Sequence, residues 1–176
     1  DTSFGGTGQY TSFVASFSVP VDNSGPGWID LASDGHTIFY TSQGRKIYKF
    51  DTLTQTAVVW ADLSTLNGNL KNGTLFAIRI LPPSGNGSDG VLVADQGNVK
   101  LVKASNGVIT GVTVFKFGSL SNLQALSLDL FTNAAGQMGL SPSTFWVGDA
   151  TASTKNLLRF NISTNTTEVT LSTGAG

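Results

Sequence analysis

Residues 27–54, GWIDLASDGHTIFYTSQGRKIYKFDTLT, decide how the rest of the chain is read. Three short apolar and β-branched runs are separated by Ser33-Asp34-Gly35 and Ser42-Gln43-Gly44, small polar clusters that let a backbone reverse between antiparallel strands. A fourth run, TAVVWADL at 56–63, follows a further polar turn, so the stretch predicts a four-stranded meander.

The same pattern recurs. A second unit runs LFAIRIL, GVLVADQ, NVKLVKAS and GVTVFKF, and a third runs LQALSLDLF, STFWVGDA, KNLLRFNI and TEVTLST. Trp28, Ala77 and Ala125 open the units at intervals of 49 and 48 residues, a spacing within the range of a propeller blade. The first two strands of each unit are almost wholly apolar, as sheets stacked face to face require. The outer two admit Lys49, Lys103 and Arg159 and are expected to see water.

The unit at 27–54 resembles the blade of bacterial NHL- and Vgb-like β-propellers, and the likeness extends loosely over residues 24–172. It implies an all-β fold of antiparallel four-stranded blades. One single domain over 1–176 is expected, with an N-terminal strand segment (1–23) and blades over 24–72, 73–120 and 121–176. The Gly-Asp pair that such blades carry after the second strand is present as Gly148-Asp149, with Ala94-Asp95 and Thr41-Ser42 in its place elsewhere. The alternative architecture is a β-sandwich or jelly roll.

Closed propellers typically have about four to eight blades, so an arc of three is expected to leave two sheet faces to be covered. The segment QYTSFVASFSVP at 9–20, with Tyr10, Ser12, Val14 and Ser16 in alternation, reads as a spare outer strand. Either further blades of a longer protein or another copy of the chain would satisfy both, the latter by strand donation in a filament or by two arcs closing a ring of six blades.

Composition narrows the function classes. The net charge is −1 and the ten Lys and Arg residues are dispersed between Arg45 and Arg159, so no basic face suited to nucleic acid is expected. No apolar run is long enough to insert into a membrane as a helix, and the first ten residues lack a signal peptide's basic and apolar regions. The start at Asp1 is expected to reflect a signal already removed or a longer parent chain. Without cysteine, disulfides and thiolate chemistry are excluded. Sequons at Asn72, Asn86, Asn161 and Asn165 fall at turns or strand ends, making these asparagines candidate glycosylation sites and suggesting an extracellular or cell-surface protein.

Candidates for chemistry are few. His36 is the single histidine and lies two residues from Asp34, where it reads as a turn residue and not as a general base or a metal set. Gly5-Gly6-Thr7-Gly8 precedes a strand and not a helix, so it lacks the geometry that cradles phosphate. Residues 84–90, SGNGSDG, carry only Asp89 and read as a long hairpin turn. Trp28 and Trp146 are candidates for stacking on a sugar, weighed against filling the space between blades.

The propeller resemblance also brings in calcium-dependent lactonases, whose acidic and amide ligands surround a central channel. The corresponding channel-facing positions are Asp30, Arg79 and Ser127, which suit an Asp30–Arg79 ion pair better than a calcium cage. Asp95 and Asp149 read as caps of blade turns. The sequence thus points to a non-catalytic structural or adhesive protein that associates with copies of itself, without cofactor and without catalytic or metal-binding residues. A glycan or small-ligand module and a lactonase-like hydrolase are the alternatives.

Overall fold

A computed structural model describes residues 16–68, 73–118, 120–150 and 156–172. Twelve strands form three four-stranded antiparallel sheets, each a plain meander in chain order. Blade 1 holds β1 (Trp28–Leu31), β2 (Thr37–Thr41), β3 (Lys46–Asp51) and β4 (Thr56–Asp62). Blade 2 holds β5 (Ile78–Ile80), β6 (Val91–Ala94), β7 (Asn98–Ser105) and β8 (Val108–Lys116). Blade 3 holds β9 (Leu123–Thr132), β10 (Met138–Asp149), β11 (Asn156–Asn161) and β12 (Thr166–Ser172). The fold is all-β and propeller-like. Consecutive strands pair only within their own meander, which a jelly roll's crossing connections would not allow.

The sheets stack in chain order with blade 2 in the middle. Because side chains alternate across a strand, each blade has a forward face toward the next blade and a back face toward the previous one. Between blades 1 and 2, the forward side chains Phe39, Ile47 and Trp60 meet the back side chains Ile78, Val91, Val93 and Val102. Between blades 2 and 3, forward Leu92, Val99 and Phe115 meet back Leu126, Phe145, Val147 and Phe160. Each junction is thus a separate apolar layer.

The hairpins use the conformations their residues permit. Gly35, Gln43, Asn106, Gly107 and Asn165 all take positive φ at the turns read from the sequence. Asp51 and Asn161 occupy the same place in blades 1 and 3: each accepts hydrogen bonds from the amides two and three residues on, at 2.8–3.2 Å. The 84–90 segment is closed by Asp89, which accepts from the Ser84 amide at 2.7 Å.

Two features depart from the sequence expectations. Residues 16–20 of the expected spare strand pair with no strand, and 9–15 lie outside the described residues. Phe17 packs against Phe50 with ring centroids 5.2 Å apart, Val19 joins the Tyr40–Tyr48–Phe50 cluster, and the Tyr40 hydroxyl donates to the Pro20 carbonyl at 2.8 Å. The segment is a strap across the back face of blade 1, held by its two apolar side chains, which find more apolar surface on the sheet face than at an edge. Burial pushes the phenols of Tyr40 and Tyr48 up to about 12.

Second, β9 and β10 run on past the sheet as a hairpin arm. Met138 pairs with Thr132 and Leu140 with Leu130, and Gly136 at φ 78° turns the tip. A register shift separates this arm from the sheet, and there the Ser141 hydroxyl accepts from the amides of Ser143 and Thr144 at 3.2 and 3.0 Å.

Candidate functional site

The turns between second and third strands gather at one end of the arc, together with the connectors between blades, and carry its best-organised carboxylates. In blade 2, Asp95 follows β6 and accepts from the Asn98 amide at 2.8 Å, closing the turn. Asp149 holds the corresponding place in blade 3 and is buried. Blade 1 has Ser42 there, and the carboxylate arrives from elsewhere in the chain. Asp22, at the end of the strap, accepts from the Ser42 hydroxyl at 2.6 Å and from the amides of Arg45 and Lys46 at 2.6 and 3.0 Å. Arg45 stands three residues after Ser42 as Asn98 stands three after Asp95, so Asp22 does for blade 1 what Asp95 does for blade 2.

Gly44 makes room for it, since a Cβ there would lie 2.0 Å from the Asp22 carboxyl carbon. Composition offered no sign of Asp22; the missing aspartate after Thr41 was the one available signal. Replacing Asp22 by Ala is expected to cost about 1–2 kcal/mol, the scale of hydrogen bonds to a partly exposed carboxylate. Adding Ser42→Asp, which restores a carboxylate in the position of Asp95, is expected to recover part of that loss in a urea melt. Failure of the second change to recover any stability would show that the strap's apolar contacts, and not the carboxylate, are what Asp22 maintains.

A cleft of about 330 Å³ lies at this end, lined by Asp22, Gln43, Arg45, Lys46, Ser64 and Thr74 among others. Its acidic group is already bonded to protein. Beside it, Lys100 and Asp95 form an ion pair whose side chains are 0% and 1% exposed. Burial raises the Asp95 carboxyl above its ordinary value, against the pull of Lys100 and Asn98.

The channel-side positions do not form a metal cage. Asp30 accepts from the Leu31 amide at 3.1 Å and, across the blade junction, from the Ile80 amide at 2.8 Å. The Arg79 guanidinium donates to the Ile78 carbonyl at 2.6 Å, so the expected Asp30–Arg79 ion pair gives way to two backbone contacts. β5 is the inner edge strand of its sheet, and the Ile80 amide there needs an acceptor. Ser127 lies on the forward face of blade 3, exposed, and its hydroxyl donates to the Leu128 carbonyl at 3.2 Å. Among the described residues no group of three His, Asp or Glu side chains is arranged to hold a metal ion.

Trp28 fills the junction of blades 1 and 2, edge-on to Phe76 at 5.0 Å, and touches both apolar layers. Trp146 is half-buried on the forward face of blade 3. Its indole donates to Asp129 Oδ1 at 3.2 Å, while Arg159 Nε donates to Asp129 Oδ2 at 2.6 Å and also pairs with Glu168. Burial pushes the Asp129 carboxyl up, but the hydrogen bonds from Arg159 and Trp146 outweigh it and hold the group below its usual value.

At the opposite end of the arc, His36 stands between two carboxylates, 3.7 Å from Asp34 and 3.5 Å from Asp51. Asp34 takes the Thr37 hydroxyl at 2.7 Å and the amides of His36 and Thr37 at 3.0 and 2.8 Å. The Thr37 hydroxyl bond is the main reason its carboxyl falls to about 2. Asp51 is also lowered, chiefly by the Thr54 amide. Both acids are turn caps.

Three of the four sequons are described, and all three lie at this end: Asn86 in the turn between β5 and β6, Asn161 at the end of β11 and Asn165 in the turn between β11 and β12. Asn86 and Asn165 are exposed. Asn161 is half-buried and donates through its amide to Glu168 at 2.7 Å. Asn72 lies outside the described residues.

The arrangement as a whole is that of a propeller arc. The chain is similar in structure to the Neurospora crassa Pan2 WD40 domain, at TM-score 0.52 and 16% identity over 85% of this chain and 38% of that one. A match to Kuenenia stuttgartiensis hydrazine synthase has TM-score 0.48 and 13% identity, covering 92% of this chain and 53% of that one. The chain therefore spans about two fifths to a half of the proteins it resembles. No family profile matches the sequence, and no curated protein matches it.

Proposed function

We propose that this chain is a non-catalytic, extracellular propeller-repeat protein with a structural or adhesive role, which associates with copies of itself through its end blades. One observation carries the reading: the inner strand of blade 1 leaves Ile29 and Leu31 60% and 57% exposed, whereas their equivalents Ile78 and Ile80 in blade 2 are 0% and 5% exposed and Leu126 and Leu128 in blade 3 are 5% and 6%. These positions are built for burial under a neighbouring blade. The sequons at Asn86, Asn161 and Asn165 support the extracellular part, because glycans at that end would project from turns and leave the blade faces clear.

The test is the assembly state of the native material, by light scattering over a range of concentrations followed by negative-stain imaging. Regular assemblies support the reading; an 18.3 kDa monomer at every concentration overturns self-association. Deleting residues 9–20 separates the two routes. Loss of assembly on deletion supports strand donation, and assembly that survives it supports packing of blade faces.

A glycan-binding module is the second reading, favoured by the half-exposed Trp146 indole beside Arg159 and Asp129. Glycan-array binding abolished by Trp146→Ala but not by Trp28→Ala supports it. The lactonase-like reading has less behind it, since the Asp30 carboxylate is already held by two backbone amides.

A further inference from the structure

We propose that the cleft between the outer hairpin of blade 1 and the β7–β8 turn of blade 2 binds an acidic sugar of the uronic-acid class, with its carboxylate at Lys49 and its hydroxyls at Asn106. The cleft lies inside the arc, between two neighbouring blades, so both walls come from one chain.

Strand register shows why a space opens there. In blade 1, Asp30 pairs with Phe39 and Phe39 with Lys49; in blade 2, Arg79 pairs with Leu92 and Leu92 with Leu101. Lys49 therefore stands where blade 2 has Leu101, which packs into the apolar layer between blades 2 and 3. An ammonium cannot enter such a layer unpaired without a large desolvation cost. At Lys49 the junction of blades 1 and 2 instead holds a space of about 400 Å³, within the range of small-molecule sites.

The walls are rich in donors and apolar surface. The Lys49 ammonium lies 5.8 Å from the centre of the Phe39 ring, near the outer limit of a cation–π contact. Among the described residues no carboxylate pairs with it, and none lines the cleft. Val58, the cross-strand partner of Lys49, is 57% exposed. A bulge opposite Ile47 and Tyr48 leaves Trp60 without a cross-strand partner, and its ring walls the cleft edge-on to Phe39, 5.3 Å away. Blade 2 contributes Asn106 and Gly107, the central pair of a two-residue turn at φ 51° and 79°. A Cβ on Gly107 would lie 3.5 Å from the Val59 carbonyl oxygen, so the turn leans directly on β4. Among the described residues the Asn106 side chain makes no hydrogen bond to protein.

These groups select a ligand class. An ammonium without an acid beside it suits an anion, and a side-chain amide, which both donates and accepts, suits hydroxyls. The two valines offer apolar surface to the C–H face of a ring. A uronic acid presents all three features, whereas a neutral sugar leaves the ammonium unpaired.

The test is a titration of the full chain, ¹⁵N-labelled, with sodium D-glucuronate at constant ionic strength, alongside D-glucose and sodium acetate. The Trp60 indole resonance, assigned by its loss in Trp60→Phe, should shift saturably with a midpoint of about 1–10 mM glucuronate. Glucose and acetate should each bind at least tenfold more weakly. Lys49→Met should weaken glucuronate at least tenfold and Lys49→Arg should restore it. Asn106→Asp, which keeps a residue tolerant of positive φ but places a like charge in the cleft, should also weaken it at least tenfold. No saturable shift overturns the site. Equal binding of glucose overturns the role of the carboxylate, and equal binding of acetate overturns the sugar. Binding that survives both Lys49→Met and Asn106→Asp but is lost in Trp146→Ala overturns the placement in this cleft. None of these readouts depends on whether copies of the chain associate.

Discussion

Replacing Lys100 by methionine is expected to destabilise the protein by about 3–5 kcal/mol at neutral pH, the range found when one member of a buried ion pair is removed. The Lys100 side chain is fully buried on the back face of blade 2 and its ammonium meets Asp95, itself 1% exposed. Removing the cation leaves a carboxylate with no route to water. Asp95 also closes the blade 2 turn through the Asn98 amide, and Gly73 approaches so closely that a Cβ there would lie 2.9 Å from it.

The pH dependence follows from the sign of the shift. The Asp95 carboxyl is raised by burial, so the folded state holds its proton more tightly than the unfolded state does. Stability attributable to this group is complete below its unfolded value and declines as pH rises through the folded one. Without Lys100 the folded value rises further, so the deficit of Lys100→Met should be largest near neutrality and shrink toward about pH 4. Urea unfolding at both pH values, with Asp95→Asn and the double variant completing a cycle, measures it. A deficit independent of pH would assign the loss to packing alone.

Truncating Phe145 to alanine is the second large effect, about 3–5 kcal/mol. Its ring lies 5.9 Å from Phe115, 6.4 Å from Phe117 and 5.4 Å from Phe160, at the centre of the layer between blades 2 and 3. The cavity opens at a junction between repeats, where stability depends on nearest-neighbour contact. Amide exchange should accelerate throughout β9–β12 while β1–β4 keeps its protection. Uniform acceleration would show that the three blades unfold as one unit.

The meanders were legible because the information is local. Ser33-Asp34-Gly35 and Asn106-Gly107 specify reversals through backbone conformations that few residue types adopt, and the runs between them are too short for helices. The hairpin arm at 130–140 was missed because Leu130 and Phe131 read as the end of a buried strand and Leu140 fell between two runs, whereas these side chains are exposed beyond the sheet's end. The Asp30–Arg79 pairing failed for a different reason. Opposite charges at equivalent positions suggest a partner, but Asp30 instead accepts from the inner-edge backbone amide of Ile80.

By itself, then, the sequence determined the repeat, its period and the turn chemistry, since each depends on residues within about a dozen positions of one another. Only the tertiary structure decided where the strap lies, that Asp22 supplies the carboxylate missing after Thr41, and that among the described residues Ile29 and Leu31 are exposed and Trp146 half-exposed. Those outcomes depend on which sheet faces meet. An alternating strand is equally ready to bury either face, and its partner is chosen by packing across distances that the linear order of residues does not encode.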